Sequence, residues 1–346
     1  MSPIFLIAAR THTVLTLLFQ IVPHPDKPYQ RFALSATMPA AHNFSSLNVV
    51  VVGSYNADLI MSCDPFPVLG RSIQAGEFSL CSGGRGGNCA VAAARAGCQV
   101  KFVGAHGPDV FGKLARERLA RENIDITHFV ELPLARTGVA MSFLDARTGE
   151  DMVAVARSAN HEYPPTLVTE AEPAIRAADL IFTQLETDFS VVLEVFRLCA
   201  LYNKRLIVHA APVGPETRIP PGDFYLMVQG HHEALALTHA KSLAGAISRL
   251  HELGCEHVIV VNGTESLISS DEHSSQNHPL PERSRLHFGG AAECVTAWAG
   301  ITLALTKDLN HAAELAAEAM AFSMARPGAQ ESMPYPSELN GSGKSA

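Results

Sequence analysis

The stretch that decides the fold is "LNVVVVG", residues 47–53, an apolar run that ends at a glycine. Because four consecutive valines leave no polar face, the run predicts a strand that is buried on both sides. Runs of the same kind recur along the chain and predict one sheet of buried parallel strands; they are VKFVG (100–104), DLIFTQ (179–184), RLIVH (205–209), FYLMV (224–228) and HVIVVNG (257–263).

Helical patterns separate these strands, at 109–123, 188–204 and 240–254. Buried strands that alternate with amphipathic helices predict an α/β fold, in which helices cover both faces of a Rossmann-type parallel sheet. Two further stretches, approximately 55–80 and 136–157, alternate apolar and polar residues. They predict antiparallel strands with one wet face, which we interpret as a small β-sheet lid on the body. Residues 271–284 are polar without periodicity and predict a loop.

Composition limits the classes of partner. The 346 residues carry a net charge of −8 and no dense block of Lys or Arg, which argues against nucleic acid or a membrane as the main partner. None of the 7 cysteines forms a C-x-x-C pair. Free buried thiols are therefore expected, as in a reducing compartment such as the cytoplasm.

The first 46 residues differ from the rest. Their apolar part is interrupted by Arg10 and His12, so it falls short of the ~20 apolar residues of a membrane-spanning helix. With Asp26 as its only acid, the segment weakly resembles an organelle transit peptide. A disordered leader, or a start at Met38, remains an alternative. We expect a main domain at 47–336 and a flexible tail at 337–346.

A glycine-rich stretch, "SGGRGGNCAVAAARAG" (82–97), runs into an alanine-rich helix. It matches neither G-x-x-x-x-G-K-[ST] nor G-x-G-x-x-G, so neither common nucleotide cradle is supported. Its glycines allow close approach of backbone to a ligand, and Asn88 offers an amide at the helix start. A tight turn that Asn88 merely caps remains an alternative.

Polar residues follow two of the predicted strands. Asn56 and Asp58 alternate with an alanine, so in an extended segment both point to one face, where they suit a polyhydroxylated ligand. Glu186 follows another strand and therefore lies on the same rim of the sheet. A solvated loop and a charge at a helix start are the alternatives.

The third stretch with chemistry is "HFGGAAECVTAWAG" (287–300), where small residues precede an alanine-rich helix. The mouth of such a helix holds anions well. Glu293 is the one acid of the stretch and stands where a base is needed.

Together these stretches resemble the ribokinase/phosphofructokinase-B family of sugar kinases, from about Val49 to Pro334. The first family signature matches 83–97, with Arg85 in place of the usual lysine. The remaining matches occur in the family's order; they are VVGSYNADLI (51–60), NIDITHF (123–129), QLE (184–186) and GAQESMP (328–334).

The resemblance implies a Rossmann-like body with a β-sheet lid, pairing of lids in a homodimer, and transfer of the ATP γ-phosphate to a sugar hydroxymethyl group with Mg²⁺. A pentose, D-ribose above all, is the implied substrate. The residues that it assigns to the sugar are Asn56, Asp58, Gly84, Arg85, Gly86, Gly87, Asn88 and Glu186.

The nucleotide half of the family pattern is less well kept. The second signature, D-T-x-G-A-G-D, aligns with 287–293, which makes Glu293 the base and Ala291 and Ala292 the anion hole. His287 replaces an aspartate near a monovalent-cation site, so K⁺ activation is expected to be weak. The resemblance further assigns ATP to Gly230, Gly263 and Ala292, magnesium to Glu233, and the monovalent-cation loop to Arg326, Gly328 and Ser332.

These departures leave three hypotheses open. Glu is one methylene longer than Asp, and a catalytic group misplaced by ~1 Å can cost on the order of 10²-fold in rate. Ala292 would be strained if its φ were positive. The chain is then a slow ATP-dependent pentose kinase, a sugar-binding protein that has lost catalysis, or a kinase for a related substrate, which Arg85 would favour.

Overall fold

The computed structural model describes residues 44, 47–145, 147, 151–283 and 289–339. Its main element is a nine-stranded sheet in the order β13-β12-β11-β10-β9-β8-β1-β4-β5. The strands are β1 (Asn48–Val52), β4 (Gln99–His106), β5 (Asp125–Glu131), β8 (Leu180–Gln184), β9 (Arg205–His209), β10 (Leu226–Gly230), β11 (Val258–Asn262), β12 (Ser266–Ser270) and β13 (Ser275–Pro279). From β11 to β5 every neighbouring pair is parallel, whereas β12 and β13 pair antiparallel at one edge.

Helices cover both faces of this sheet. They are α1 (Arg85–Ala96), α2 (Val110–Arg121), α3 (Ala159–Glu162), α4 (Thr166–Glu170), α5 (Glu172–Ala177), α6 (Phe189–Leu201), α7 (His231–Thr238), α8 (Leu243–Glu252), α9 (Ala291–Thr306), α10 (Leu309–Met324) and α11 (Pro336–Leu339). Val49 and Val51 pack into the core under α1, α9 and α10, and Val50 and Val52 into the core under α6 and α8. This arrangement confirms the predicted α/β class.

A second sheet of four strands stands apart from the first, in the order β3-β2-β6-β7. Its strands are β2 (Asn56–Cys63), β3 (Phe78–Gly83), β6 (Gly138–Asp145) and β7 (Asp151–Ala156), and we call it the lid. The two outer pairs are antiparallel, as predicted, but β2 and β6 run parallel. Period-two alternation is the same in both orientations, so it could not distinguish them.

One local prediction was wrong, and one of the alternatives is excluded. Residues 271–284 were expected to be a loop, but 275–279 form β13, which pairs with β12. The helix after the glycine-rich turn begins at Arg85 with Gly84 as its N-cap, so Asn88 lies within the helix and does not cap it.

The cysteines are free, and all but Cys81 are buried. The predicted leader falls on residues 1–46, of which only Phe44 is described, and most of the predicted tail also lies outside the described residues. Within the part that the structure describes, no helix is both long enough and apolar enough to cross a bilayer.

Candidate active site

A cavity of about 300 Å³ lies at the carboxyl ends of β1 and β8, between the N-termini of α1 and α9 and one face of the lid. The body contributes Gly84, Arg85, Asn88, Glu186, Gly289, Gly290, Ala291, Ala292 and Glu293 to its lining, and the lid contributes Asn56, Asp58, Ile60, Ala140, Ser142, Leu144, Asp151, Val153 and Val155. The lid residues alternate along each strand, because alternate side chains of a strand share a face.

The glycine-rich turn brings the start of α1 to the cavity. Gly84 has φ +83°, and a Cβ on it would lie 2.6 Å from the backbone nitrogen of Asn56. Gly86 and Gly87 do not line the cavity. They pack behind it, where a Cβ on Gly86 would lie 2.7 Å from the backbone nitrogen of Ser54. Gly86 therefore allows α1 to sit directly on the end of β1, whereas a Cβ on Gly87 would lie 2.7 Å from Gln330 Nε2.

Asn56 and Asp58 lie side by side on the cavity face of β2, as the alternation predicts. The Asp58 Oδ1 atom is buried and accepts no hydrogen bond from the described residues. Burial, together with the negative charges of Glu186, Glu331 and Glu293, raises the pKa of Asp58 from 3.8 to about 7. Asp58 thus offers an acceptor to a ligand in the cavity.

Glu186 also reaches the cavity from the end of β8 and is buried. Its Oε2 accepts hydrogen bonds from the Ser54 hydroxyl and, at 3.2 Å, from the backbone N–H of Arg85. These two donors fix the carboxylate between the end of β1 and the start of α1. The structure therefore brings the predicted polar residues of three separate segments into one cavity.

Glu293 is 4% exposed and belongs to the first turn of α9. Its Oε1 accepts a hydrogen bond from Arg85 Nη1 at 2.9 Å and lies 3.1 Å from His209 Nδ1, while Asn88 Nδ2 is 3.5 Å from Oε2. Burial opposes ionisation, but His209, Arg85 and Asn88 outweigh it and lower the pKa of Glu293 to about 2. Glu293 is therefore a carboxylate at any physiological pH.

His209 was not singled out from the sequence. It is the last residue of β9 and is 1% exposed. The 3.1 Å approach to Glu293 is within ion-pair distance, but the alignment is not that of a hydrogen bond, and Nδ1 makes none within the described residues. The only sequence signal was a polar residue at the end of an apolar strand.

The N-terminus of α9 supplies backbone donors to the cavity. Its N-cap, Gly290, has φ +82°, and the first hydrogen bond within the helix runs from Cys294 N to Gly290 O. The N–H groups of Ala291, Ala292 and Glu293 therefore have no acceptor in the helix itself, the arrangement that binds anions. Ala292 is helical and is not among the residues of positive φ, so the conditional expectation of strain there does not apply.

Comparison with known proteins identifies the family. Residues 46–336 match the model of the pfkB family carbohydrate kinases. The chain belongs to the pfkB family. Its pfkB relatives include the ribokinase of Haemophilus influenzae, 27% identical over 300 residues, which cover 83% of this chain and 95% of the relative. The ribokinase of Bacillus subtilis is 26% identical over 292 residues, covering 84% and 98%.

Solved structures show the same fold. The Arabidopsis thaliana ribokinase, solved as a complex with ribose and ATP, superposes with a TM-score of 0.77 at 23% identity, covering 85% of this chain and 97% of that one. The resemblance to the pfkB kinases that was inferred from five motifs is thereby confirmed.

Of the residues that the pfkB resemblance assigns to the nucleotide and its magnesium, Ala292 lines this cavity, whereas Gly230, Gly263 and Glu233 are not part of its lining. Gly230 ends β10 and is the N-cap of α7, and a Cβ on it would lie 2.2 Å from Glu233 Oε2. Glu233 is close enough to contribute to the raised pKa of Arg85. Gly263, with φ +57°, forms the turn between β11 and β12 and has open space on its Cα.

The loop that precedes α11 holds the three residues assigned to a monovalent cation. Arg326 turns away to Glu338, with Nη2 2.6 Å from Oε1, and Ser332 Oγ bonds to Ser323 Oγ at 2.7 Å. Gly328 has φ +84°. Its neighbour Ala329 approaches Gly290, because a Cβ placed on Gly290 would lie 3.3 Å from the Ala329 carbonyl oxygen. His287, assigned to the same site, falls outside the described residues.

Across the described ranges, no group of three or more His, Cys, Asp or Glu side chains has the arrangement of a metal site. A magnesium ion carried by a nucleotide needs fewer protein ligands, because it keeps several waters and binds phosphates with one or two carboxylates.

Proposed function

We propose that the chain phosphorylates a pentose with ATP, D-ribose above all, to give the 5-phosphate. The observation that carries the proposal is the cavity in which Asp58, with a free buried acceptor, and Glu186 meet Glu293 at the mouth of α9. Two relatives are ribokinases, and the Arabidopsis structure contains ribose and ATP. A carbohydrate kinase of this family with such a cavity fits a small polyol.

In the proposed reaction, the sugar hydroxyl oxygen bonds to the γ-phosphorus while the bond between that phosphorus and the ADP oxygen breaks. The hydroxyl proton passes to the Glu293 carboxylate. The N–H groups of Ala291, Ala292 and Glu293 stabilise the charge on the transferring phosphoryl group, which is where a preorganised donor contributes most. Positioning and electrostatics dominate this type of transfer, so little more is asked of the protein.

Magnesium bound with the ATP phosphates would be held through Glu233 and would neutralise their charge. Gly230 leaves room for the Glu233 carboxylate beside its own Cα. Gly263 and Ala292 complete the proposed nucleotide side. Weak K⁺ activation remains a prediction, because the loop of Arg326, Gly328 and Ser332 is retained while His287 replaces an acid.

The ion pair of Arg85 with Glu293 favours a second candidate, a sugar-binding protein without turnover. Arg85 Nη1 is 2.9 Å from Glu293 Oε1, and both residues line the cavity. A carboxylate held by a guanidinium is a weaker base than a free one. The free acceptor of Asp58 is not part of that pair, so sugar binding through it is expected to outlast catalysis.

Homodimerisation through the lid is proposed on the resemblance and on the lid's outer face. The side of the lid that faces away from the cavity carries exposed apolar side chains, Phe78 (58%), Met141 (45%) and Met152 (45%). Light scattering should give twice the mass of the chain, and Met141→Lys should reduce it to that of a monomer. A monomeric wild-type protein would contradict the proposal.

The test of the kinase is ADP release by the purified full-length chain with ATP, Mg²⁺, K⁺ and ribose. The proposal is supported if turnover depends on ribose and is abolished by Glu293→Gln. The control Glu117→Gln, at an exposed position of α2, should leave turnover intact. If there is no turnover but ribose still raises the Tm of the chain, the result favours the sugar-binding protein. Absence of both would contradict both candidates.

A further inference from the structure

Asn160 lies outside the cavity lining, in the short helix α3 that follows lid strand β7, and is completely buried. Its side chain makes three hydrogen bonds. Asn160 Oδ1 accepts from the backbone N–H of Tyr55 at 2.9 Å, and Nδ2 donates to the Tyr55 carbonyl at 3.0 Å and to Asn56 Oδ1 at 2.8 Å.

These bonds fix the orientation of two amides. A backbone N–H can only donate, so the Asn160 atom that faces Tyr55 N must be the oxygen. The other end of Asn160 is then the NH₂ group, and its two protons are used by the Tyr55 carbonyl and by Asn56. Since Asn56 accepts through Oδ1, the group that Asn56 has left for a ligand is its own NH₂ donor.

We propose that Asn160 is a specificity-determining positioning residue that makes Asn56 a hydrogen-bond donor toward the sugar. The donor stands beside Asp58, whose free Oδ1 is an acceptor. The two side chains together select a polyol in which one oxygen accepts a hydrogen bond from Asn56 and a hydroxyl donates one to Asp58. The inference rests on the proposed function in one respect, that a sugar occupies this cavity.

The test compares two substitutions of the same residue. In Asn160→Asp, measured at a pH at which the new carboxyl is ionised, an oxygen faces Asn56, so the Asn56 amide turns to donate to it and presents its oxygen to the sugar. In Asn160→Ala the Asn56 amide is unconstrained and can still donate. Asn160→Asp is expected to weaken ribose binding about 10-fold, which is ~1.4 kcal/mol or about one hydrogen bond, and Asn160→Ala about 2-fold, by calorimetry.

A merely structural role would give the opposite ranking, because Asn160→Ala removes all three bonds. An Asn160→Ala loss as large as that of Asn160→Asp, or no loss in Asn160→Asp, would overturn the proposal. The variant Asn56→Asp leaves Asn160 in place and also presents an oxygen to the sugar. Its affinity for ribose is expected to fall by a similar 10-fold, about one hydrogen bond. Asn277→Asp, at an exposed position of β13, controls for the added charge.

Two further readouts separate this proposal from the proposed function. The fluorine of a deoxyfluoro-ribose can accept a hydrogen bond but cannot donate one. At one ring position, wild type should therefore bind the deoxyfluoro-ribose better than the matching deoxyribose. Asn160→Asp should reverse that order. If wild type binds no ribose, the proposed function fails. Side-chain amide exchange by NMR then decides, since the Asn160 NH₂ protons should exchange more slowly than those of Asn56, and the reverse would refute the inference.

Discussion

Asp58→Asn is expected to stabilise the empty protein at alkaline pH while it weakens sugar binding. The Asp58 carboxyl is buried against Glu186, Glu331 and Glu293, and its Oδ1 has no donor among the described residues. Its folded-state pKa of about 7 lies above the 3.8 of a free carboxyl. The folded chain therefore holds this proton more tightly than the unfolded chain does, and stability falls as pH rises between those values.

The magnitude follows from the difference in proton affinity. Each tenfold change in that affinity corresponds to about 1.4 kcal/mol, so a pKa of about 7 in place of 3.8 gives up to ~4 kcal/mol. This cost is absent below pH 4 and complete above pH 7. An asparagine cannot ionise, although its buried NH₂ group costs ~1 kcal/mol if unbonded. The expected net gain for Asp58→Asn at pH 8 is on the order of 3 kcal/mol.

Urea unfolding of both proteins at intervals from pH 4.5 to 8.5 measures this difference. The free energy of unfolding of the variant minus that of wild type should rise with pH, and Asp223→Asn, at an exposed position, provides the matched control. Ribose should stabilise wild type more than Asp58→Asn, because its hydroxyls supply the missing donor. A difference between the two proteins that does not change with pH would refute the reasoning.

Three further substitutions test the backbone and the base. Gly84→Ala should lower the free energy of unfolding by more than ~2 kcal/mol in the same urea assay, because Gly84 combines a positive φ with a 2.6 Å contact to its new Cβ. Gly70 has φ +76° but open space around it, so Gly70→Ala should cost only ~1–2 kcal/mol. Ala292→Gly should cost ~0.5–1 kcal/mol and leave kcat unchanged, because Ala292 is helical and unstrained; a rise in kcat would contradict this. Glu293→Asp should raise turnover, by up to about 10²-fold, if base placement is limiting. An unchanged kcat would place the defect elsewhere, with Arg85→Met as the next variant.

The sheet could be predicted where its strands are buried on both faces. β1 and β9 read as continuous apolar runs because helices cover both sides of them. The two antiparallel strands at one side of the sheet, β12 and the edge strand β13, could not be found in this way. Their sequences, SLISS and SQNHP, are largely polar, and they are strands because of the antiparallel pairs that they make at the edge of the sheet.

The cavity could be predicted only in part. Asn56 and Glu186 follow strands, and the ends of parallel strands converge, so their meeting was foreseeable. His209 and Asn160 were missed because their partners are distant in sequence. Asn160 bonds to Asn56, 104 residues away, and no local period reports such a contact. Arg85 was noticed as a departure from the family pattern, but its pairing with Glu293, 208 residues away, was not.

The geometry of Glu293 fits the proposed role of a base better than that of an inert ion pair. Arg85 and His209 both approach Oε1, whereas the hydrogen bond to Oε2 that the described residues provide comes from the amide of Asn88, at 3.5 Å. One oxygen thus fixes the side chain and the other keeps lone pairs for a hydroxyl proton. A pKa of about 2 makes the carboxylate a weak base, but phosphoryl transfer depends chiefly on positioning and electrostatic stabilisation. The hydrogen bond from Arg85 lowers the basicity of Glu293, which slows turnover. The same bond restricts the conformations that the extra methylene of Glu would allow, which preserves turnover. Together the two effects favour slow turnover over none.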